Sequence, residues 1–512
     1  MSKTSDNNKR IAKNTAFLYI RMLLLMAISI YTTRVNLQVL GIEDYGIYNV
    51  VGGIVALFSV LSQSLSTASS RFLNFEMGRG NENKLKKIFG VCSSIHIILM
   101  ILIAVLTELI GTWFLNNKMV IPTERLYAAN WVFQFSILTF CINLMSVPYN
   151  AAIIAHEKMS AFAYISIYEG VAKLGICYFV LISSFDKLIF YAALLFFVQL
   201  SIRVIYSYYC KKKFEECHSW ICFDKNIFKE IFSYAGWNFI GTTAAILRTQ
   251  GGNIIINMFA GPVVNASRGV ANQVNNAITG FASNFITAIR PQITKSYAAG
   301  NIDYMTTLVV QGARLSYYML FILSLPIIIN INFILNLWLK DIPDRADIFV
   351  ILTIVFTMIE TLSNTLITAQ LATGKVRNYQ LIVGGINMLN LPISYILLKL
   401  GCLPEVFLYV AITLSIMCLI ARLIMLKQNI VGFSISTFLH KVVINCLMVT
   451  VVALSISIIL KNLLPCTFVG FLLSVISCVI FTAFVILKVG CDTKEREYMI
   501  LAVRKVKNKF IK

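Results

Sequence analysis

The chain has 512 residues, 58% of them hydrophobic and 13% charged, with a mean hydropathy of +0.78. Soluble domains average about 45–50% apolar and about 25% charged residues, so this composition excludes one or several water-soluble globular domains. A formal net charge of +21 would point to nucleic acid in a soluble protein. In so oily a chain it falls instead under the membrane rule that gathers Lys and Arg on one side.

Crossing about 30 Å of hydrocarbon takes roughly 20 apolar residues. In chain order, such runs fall near 14–36, 46–69, 88–112, 126–149, 160–184, 188–210, 232–257, 263–289, 307–336, 347–371, 379–399, 403–425, 440–460 and 466–488. The first carries Arg21 and Arg34 and no small-residue cleavage site follows it, so it is expected to be a retained span and not a signal peptide. The longest connection, Lys211 to Ile231, leaves no room for a soluble domain of ordinary size. No alternating ten-residue pattern suggests a barrel. The expected fold is an all-α polytopic membrane protein of about 14 transmembrane helices.

With the N-terminus placed in the cytoplasm, and span ends counted with adjoining loops, the cytoplasmic segments hold 30 Lys and Arg. The other side holds seven: Lys118, Arg125, Lys187, Lys340, Arg345, Lys399 and Lys461. This bias places both termini in the cytoplasm. About +18 of the net charge then lies inside, −1 outside and +4 within the spans.

That +4 comes from Arg21, Arg34, Lys173, Arg203, Arg248, Arg268 and Arg314 against Glu108, Glu169 and Glu360. Charges at membrane depth are costly, and they face a bundle interior or a water-filled cavity. The alternative for Arg34 and Arg203 is snorkelling from a span end. On the eighth span, at 100° per residue, Asn265, Arg268, Asn272, Asn276, Thr279, Ser283 and Thr287 fall within roughly a 100° arc. A helix facing lipid would not carry such a stripe; it lines an aqueous cavity or a polar helix interface. Asn14, Arg21, Thr32 and Asn36 share a face of the first span, with Arg34 roughly opposite. Ser59, Ser62, Ser66 and Ser69 recur on the second, and Asn238, Thr242, Thr249 and Asn253 align on the seventh with Arg248 at the edge. Spans one, two, seven and eight are thus the expected walls of one chamber.

Those spans are related by a repeat. Gly41 recurs as Gly261, and at the same interval Gly80-Asn81 recurs as Gly300-Asn301. At nearly that interval Arg71 recurs as Arg290 and Lys158 as Lys375. Six spans per unit give two copies the same orientation, related by an axis along the membrane normal. The expected organisation is an N-lobe at 1–210, a loop at 211–231, a C-lobe at 232–425, two added spans at 426–488 and a basic cytoplasmic tail at 489–512. In that tail Leu501, Val503 and Val506 among the lysines suggest a short surface-lying helix.

Leu40-Gly41-Ile42-Glu43-Asp44-Tyr45-Gly46-Ile47-Tyr48, with Arg34 upstream, resembles the signature of bacterial polysaccharide-export flippases of the multidrug, oligosaccharidyl-lipid and polysaccharide exporter superfamily. Ala68-Ser69-Ser70-Arg71-Phe72-Leu73 and Ala372-Thr373-Gly374-Lys375 are similar to further elements of that pattern. The resemblance covers essentially the whole chain. It implies a bacterial inner-membrane protein that moves an undecaprenyl-diphosphate-linked oligosaccharide to the periplasmic leaflet for O-antigen, capsule or a related glycan. Other glycan-assembly proteins would be partners. Neither a cofactor nor a nucleic-acid partner is implied.

The residues suit such a cargo on their own terms. Arg forms bidentate charge-assisted hydrogen bonds with a diphosphate, while Asn and Ser exchange hydrogen bonds with sugar hydroxyls. Arg21, Arg248 and Arg268 are the expected headgroup contacts, and Asn272, Asn276 and Ser283 the glycan route. Arg34, Arg314 and Lys173 are further candidates, although Glu169 and Lys173, four apart, suit mutual neutralisation. Glu360 and Glu108 show no sequence partner and are candidates for ion coupling. A cation-coupled multidrug exporter of the same superfamily stays open, but the first two spans hold no Asp or Glu. A membrane glycan polymerase or ligase also stays open, against short external loops without His. No GxxxxGK[ST] loop for ATP is present. Cys210, Cys217, His218 and Cys222 match no paired zinc spacing. Gly52-Gly53, Gly251-Gly252, Pro326 and Pro392 suit either bends or close packing.

Overall fold

A computed structural model describes residues 3–56, 59–117, 121–218, 221–339, 342–465, 467–492 and 495–496. The described chain is helical throughout, joined by short turns, with no strand. Eleven helices among the described residues are long and apolar enough to cross a membrane. The chain is a multi-pass membrane protein. The expected spans 46–69, 232–257 and 263–289 are not among those eleven. They are helical all the same: Ser59–Arg79 is one helix, and the other two lie within Lys225–Ala298.

Burial follows the membrane pattern. Ile98, Ile101, Leu102 and Val105 expose one face of Glu82–Leu106, while Ile88, Phe89, Cys92 and Ile95 of the same helix are buried. Polar groups turn inward instead. In Ala346–Ala372, Thr357 Oγ1 donates to Thr353 O at 2.9 Å, Thr361 Oγ1 to Thr357 O at 2.8 Å and Thr365 Oγ1 to Val309 O at 2.8 Å. Without water, each hydroxyl must find an acceptor on its own helix or a neighbour.

Helix breaks have local causes. Lys3–Ala56 kinks at Gly41, whose φ of +80° and ψ of 169° belong to glycine almost alone. Pro326 lies near the end of Ile302–Ile329, and the chain turns at Asn330 before Ile331–Trp338 begins. Pro392 sits in the first turn of Asn390–Lys399, where no intrahelical amide is needed. Those two prolines start and stop helices.

Contacts divide the chain into two compact units. One comprises Met1–Thr243, Thr287–Asn301 and Leu371–Leu381; the other comprises Ala244–Ile286, Ile302–Gln370 and Ile382–Lys512. The division therefore runs inside Lys225–Ala298 and not in the expected loop at 211–231. Side chains explain the first unit's extra segments. Tyr234 packs edge-on against Phe72 at 5.6 Å and donates to Leu371 O at 3.3 Å. Gln380 donates to Asn238 at 2.8 Å. Phe72, Phe89, Tyr149, Ile231 and Val376 share this unit's main buried cluster.

Candidate functional site

In the second unit, two arginines at span depth are held by aromatic faces. The Arg268 guanidinium lies 4.5 Å from the centre of the Phe407 ring, and that of Arg248 lies 4.6 Å from Phe356. Arg248 Nη1 also donates to Asn387 Oδ1 at 3.2 Å. Cation–π contact offsets part of the cost of keeping such a charge out of bulk water. Arg268 is buried, and its space exists because Gly252 has no side chain: a Cβ there would stand 2.3 Å from Arg268 Nη1. Gly251 likewise abuts Leu391. The Gly251-Gly252 pair is therefore a close-packing site.

Beyond Arg268, the helix buries Ala271, Ile278, Ala282 and Phe285 and leaves the other face open. Asn276 and Ser283 are exposed and Asn272 is half-buried. The row carrying Arg268, Asn272, Asn276 and Ser283 thus runs from a buried cation through a half-buried amide to an exposed amide and hydroxyl.

In the first unit, Arg21 lies 4.4 Å from the centre of the Phe162 ring, and Arg203 lies 4.3 Å from Tyr149. The Nε of Arg21 is buried and has no acceptor among the described residues. Lys173 Nζ donates to Glu169 Oε1 at 2.6 Å, the expected neutralising pair. The side chain of Arg34 lies outside those described, as do Thr249, Asn253 and Asn265, and so does the basic tail from 497 onward.

Several expectations need correction. Arg314 is not free for a cargo: it is 2% exposed and pairs with Glu495 at 2.6 Å and Asp492 at 3.5 Å. Asn36 and Asn238 do not line an open chamber, because both are buried, one donating to Tyr191 at 2.9 Å and the other accepting from Gln380. At these two positions the polar stripe is an interface. The acids without a sequence partner have one in space. Glu360 accepts from Ser415 Oγ at 2.6 Å, and Glu108 from Gln134 Nε2 at 2.9 and 3.0 Å.

Sequence reasoning passed over the roles of three charged residues. Arg71 lies 4.5 Å from the Phe72 ring and 4.6 Å from Phe75, and donates to Ala372 O at 3.2 Å. It thereby joins the two distant motifs Ala68–Leu73 and Ala372–Lys375. Their common resemblance to one family's pattern was the signal available. Arg422 is buried inside Val406–Asn429 and Glu157 is buried in a helix-ending turn; neither position falls on a polar stripe.

Ion pairs also close helix ends opposite those turns. Arg125 Nε donates to Asp44 Oδ1 at 2.8 Å and Nη1 to Asp186 Oδ2 at 2.6 Å. In the second unit, Arg345 Nη1 donates to Glu405 Oε1 at 2.7 Å. Arg345 follows Arg125, and Glu405 follows Asp186, by the interval of the repeat. Burial would raise the pKa of Asp186, but Arg125 and the Ile189 and Leu188 amides outweigh it and hold the carboxyl below its usual range.

The fold is that of the MATE transporters. A mutant of the Vibrio cholerae MATE transporter VcmN matches at a TM-score of 0.70 and 14% identity, over 84% of this chain and 99% of that one. An outward-facing multidrug resistance MATE transporter of the MOP superfamily matches at 0.68 and 12%, over 84% and 98%. The family model for polysaccharide biosynthesis proteins matches residues 11–297, and the chain belongs to that family. EpsK of Bacillus subtilis (strain 168), an uncharacterized membrane protein, is 20% identical over 308 residues, 60% of this chain. The alignment spans 59% of the length of EpsK, about three-fifths of that relative. The chain thus joins the family of polysaccharide biosynthesis proteins to a fold seen in MATE transporters.

Proposed function

We propose that the protein flips an undecaprenyl-diphosphate-linked oligosaccharide from the cytoplasmic to the periplasmic leaflet of a bacterial inner membrane by alternating access, in O-antigen, capsule or exopolysaccharide biosynthesis. The observation that carries this reading is the row on one helix face: Arg268, seated on Phe407, followed by the half-buried Asn272 and the exposed Asn276 and Ser283. A cation among amides and hydroxyls suits a ligand that is anionic at one end and hydroxyl-rich at the other. Arg248 and Arg21 are the further headgroup contacts, the latter through its Nε, which has no acceptor among the described residues. Membership of the polysaccharide biosynthesis protein family supports a glycan cargo.

Arg268→Ala and Arg248→Ala, expressed at the parent level in cells lacking the gene, are expected to lower surface glycan at least tenfold. Export equal to the parent by either variant removes that residue from the route. A multidrug exporter would instead lower accumulation of a cationic dye, against the repulsion of these arginines. Glu360 and Glu108 are the acids proposed for ion coupling, and an unchanged pH dependence of transport in Glu360→Gln takes Glu360 out of that role.

A further inference from the structure

The helix Leu126–Ala155 ends in a turn that other helices of this protein make with glycine. Lys158 N donates to Ile153 O at 3.0 Å and Glu157 N to Ile154 O at 2.9 Å, with Glu157 at a φ of +57°. The same pair of hydrogen bonds ends three other helices at Gly80, Gly300 and Gly401, at φ of +72°, +75° and +87°. Glycine is the residue that adopts this conformation without steric cost, and a side chain here is strained. Among the described residues, Glu157 and Arg345 are the side-chain-bearing residues at positive φ, and both are ion-paired. An observed outlier of this kind points to a task for the side chain.

The task is visible in what surrounds the carboxylate, which is wholly buried. Arg10 Nε lies 2.7 Å from Oε2, Gln292 Nε2 donates to both oxygens at 2.8 Å, and Lys295 Nζ lies 2.8 Å from Oε1. These donors come from distant parts of the first unit's sequence: Arg10 from the first helix, Gln292 and Lys295 from Thr287–Asn301. Burial lowers the Lys295 pKa although Glu157 acts to raise it, so the ammonium is held at a desolvation cost. A guanidinium, an ammonium and an amide thus converge on the Glu157 carboxylate. Without Glu157 these groups form a set of charged and neutral hydrogen-bond donors at one point, the chemistry that binds the oxygens of a diphosphate.

We propose that Arg10, Gln292 and Lys295 form a diphosphate-binding cradle, and that the Glu157 carboxylate is its built-in plug. With the plug seated, Thr287–Asn301 is latched to the turn at residues 156–158. Withdrawal of the plug unlatches that segment and exposes the cradle on the side where Arg10 lies, the cytoplasmic side in the topology read from the loop charges. The headgroup of a lipid-linked cargo and the Glu157 carboxylate then compete for the same donors, so cargo arrival and release of the latch are one exchange. The identity of the cargo rests on the flippase reading above. The cradle itself rests on the geometry of these four residues.

The test uses the full-length protein in detergent, with binding of inorganic pyrophosphate and of farnesyl diphosphate followed by titration calorimetry. Glu157→Gly keeps the turn, because glycine suits this φ, and removes the plug. It is expected to bind both probes about tenfold more tightly than the parent, the factor by which a site open roughly one-tenth of the time is weakened. Adding Lys295→Ala is expected to abolish the gain. Glu157→Asn, neutral, too short to fill the cradle and tolerant of a positive φ, serves as a second plug-free variant should the glycine variant fold poorly. Binding equal to the parent in the plug-free variants, a gain that survives Lys295→Ala, or a gain for pyrophosphate without one for farnesyl diphosphate overturns the proposal. Normal glycan export by Arg268→Ala and Arg248→Ala would count against the transport route and leave the calorimetric result standing, so the two failures are distinguishable.

Discussion

Gly252 has no room for a methyl group, and what stands in the way is the guanidinium seated on Phe407. A Cβ at 252 would meet Arg268 Nη1 at 2.3 Å and Phe407 Cζ at 2.4 Å. Gly252→Ala is therefore expected to push Arg268 off its ring while leaving the helix intact, since alanine is the better helix former by about 1 kcal/mol. Glycan export should fall toward the Arg268→Ala level with a melting temperature within a few degrees of the parent. A variant that exports normally would show that the seat of Arg268 is immaterial. Asp186 offers a second test at this scale. It caps Lys187–Lys213 by accepting from the Leu188 and Ile189 amides, both at 3.1 Å, and pairs with Arg125. Because the folded pKa is depressed, the stabilisation is present above the ordinary carboxylate value near 3.9 and is lost as pH falls through the folded value. Asn caps as well as Asp, so Asp186→Asn isolates the ionic part. For a half-exposed pair this is expected to be less than about 1 kcal/mol, seen as a lower melting temperature at pH 7 and a difference that closes below about pH 4. A difference independent of pH would mean that the ion pair contributes nothing.

Among the elements, the kinked helix Lys3–Ala56 carries the plainest demand on one residue. At Gly41 the φ of +80° and ψ of 169° lie where essentially only glycine is found, and no heavy atom lies within 4 Å of where a Cβ would be. The cost of Gly41→Ala is then conformational and not a clash, about 1–3 kcal/mol. It should appear as a lower melting temperature that no second-site change in a neighbouring side chain restores; an unchanged melt would show that the kink relaxes freely. Span positions are legible in sequence because about 20 apolar residues are a direct physical signal. The kink is foreshadowed by the recurrence of its glycine as Gly261 in the second copy of the repeat. The direction of a polar stripe is less legible. Asn36 and Asn276 satisfy the same helical phase, yet Asn36 bonds Tyr191, 155 residues away, while Asn276 is exposed. A water-lined face and a helix interface both select polar residues at a spacing of three to four, so only the partner's position separates them. For the same reason Arg314 reads from sequence as an intramembrane cation, although Glu495, far along the chain, neutralises it. Glu157 carries no periodic signal at all, because its role depends on a turn and on donors more than a hundred residues away on either side.

For the whole molecule, the question is how its charge is disposed across the membrane. Of the net +21, about +18 lies on one set of connections and −1 on the other, and surface-exposed Leu, Ile, Val and Phe cover the helices between. The ion pairs Arg125–Asp186 and Arg345–Glu405 stand on the sparsely charged set, at corresponding positions of the repeat, which suits two copies inserted in the same orientation. One native thiol tests this disposition directly. Cys402 is exposed in the connection between Asn390–Lys399 and Val406–Asn429, beside Lys399, on the set expected to face the periplasm. Lys212, exposed at the end of Lys187–Lys213, stands on the opposite set. In a Cys466→Ser background, a membrane-impermeant maleimide should label Cys402 in intact spheroplasts. A Lys212→Cys site introduced into a Cys402→Ser version should react only after permeabilisation. The positive-inside rule weighs short loops close to the spans, and these connections meet that condition, so a single inverted pair of spans would reverse the outcome at Cys402 and leave Lys212→Cys unchanged. Labelling of Lys212→Cys in sealed spheroplasts would turn the entire assignment over, and with it the side from which the Arg10–Lys295 cradle meets its cargo.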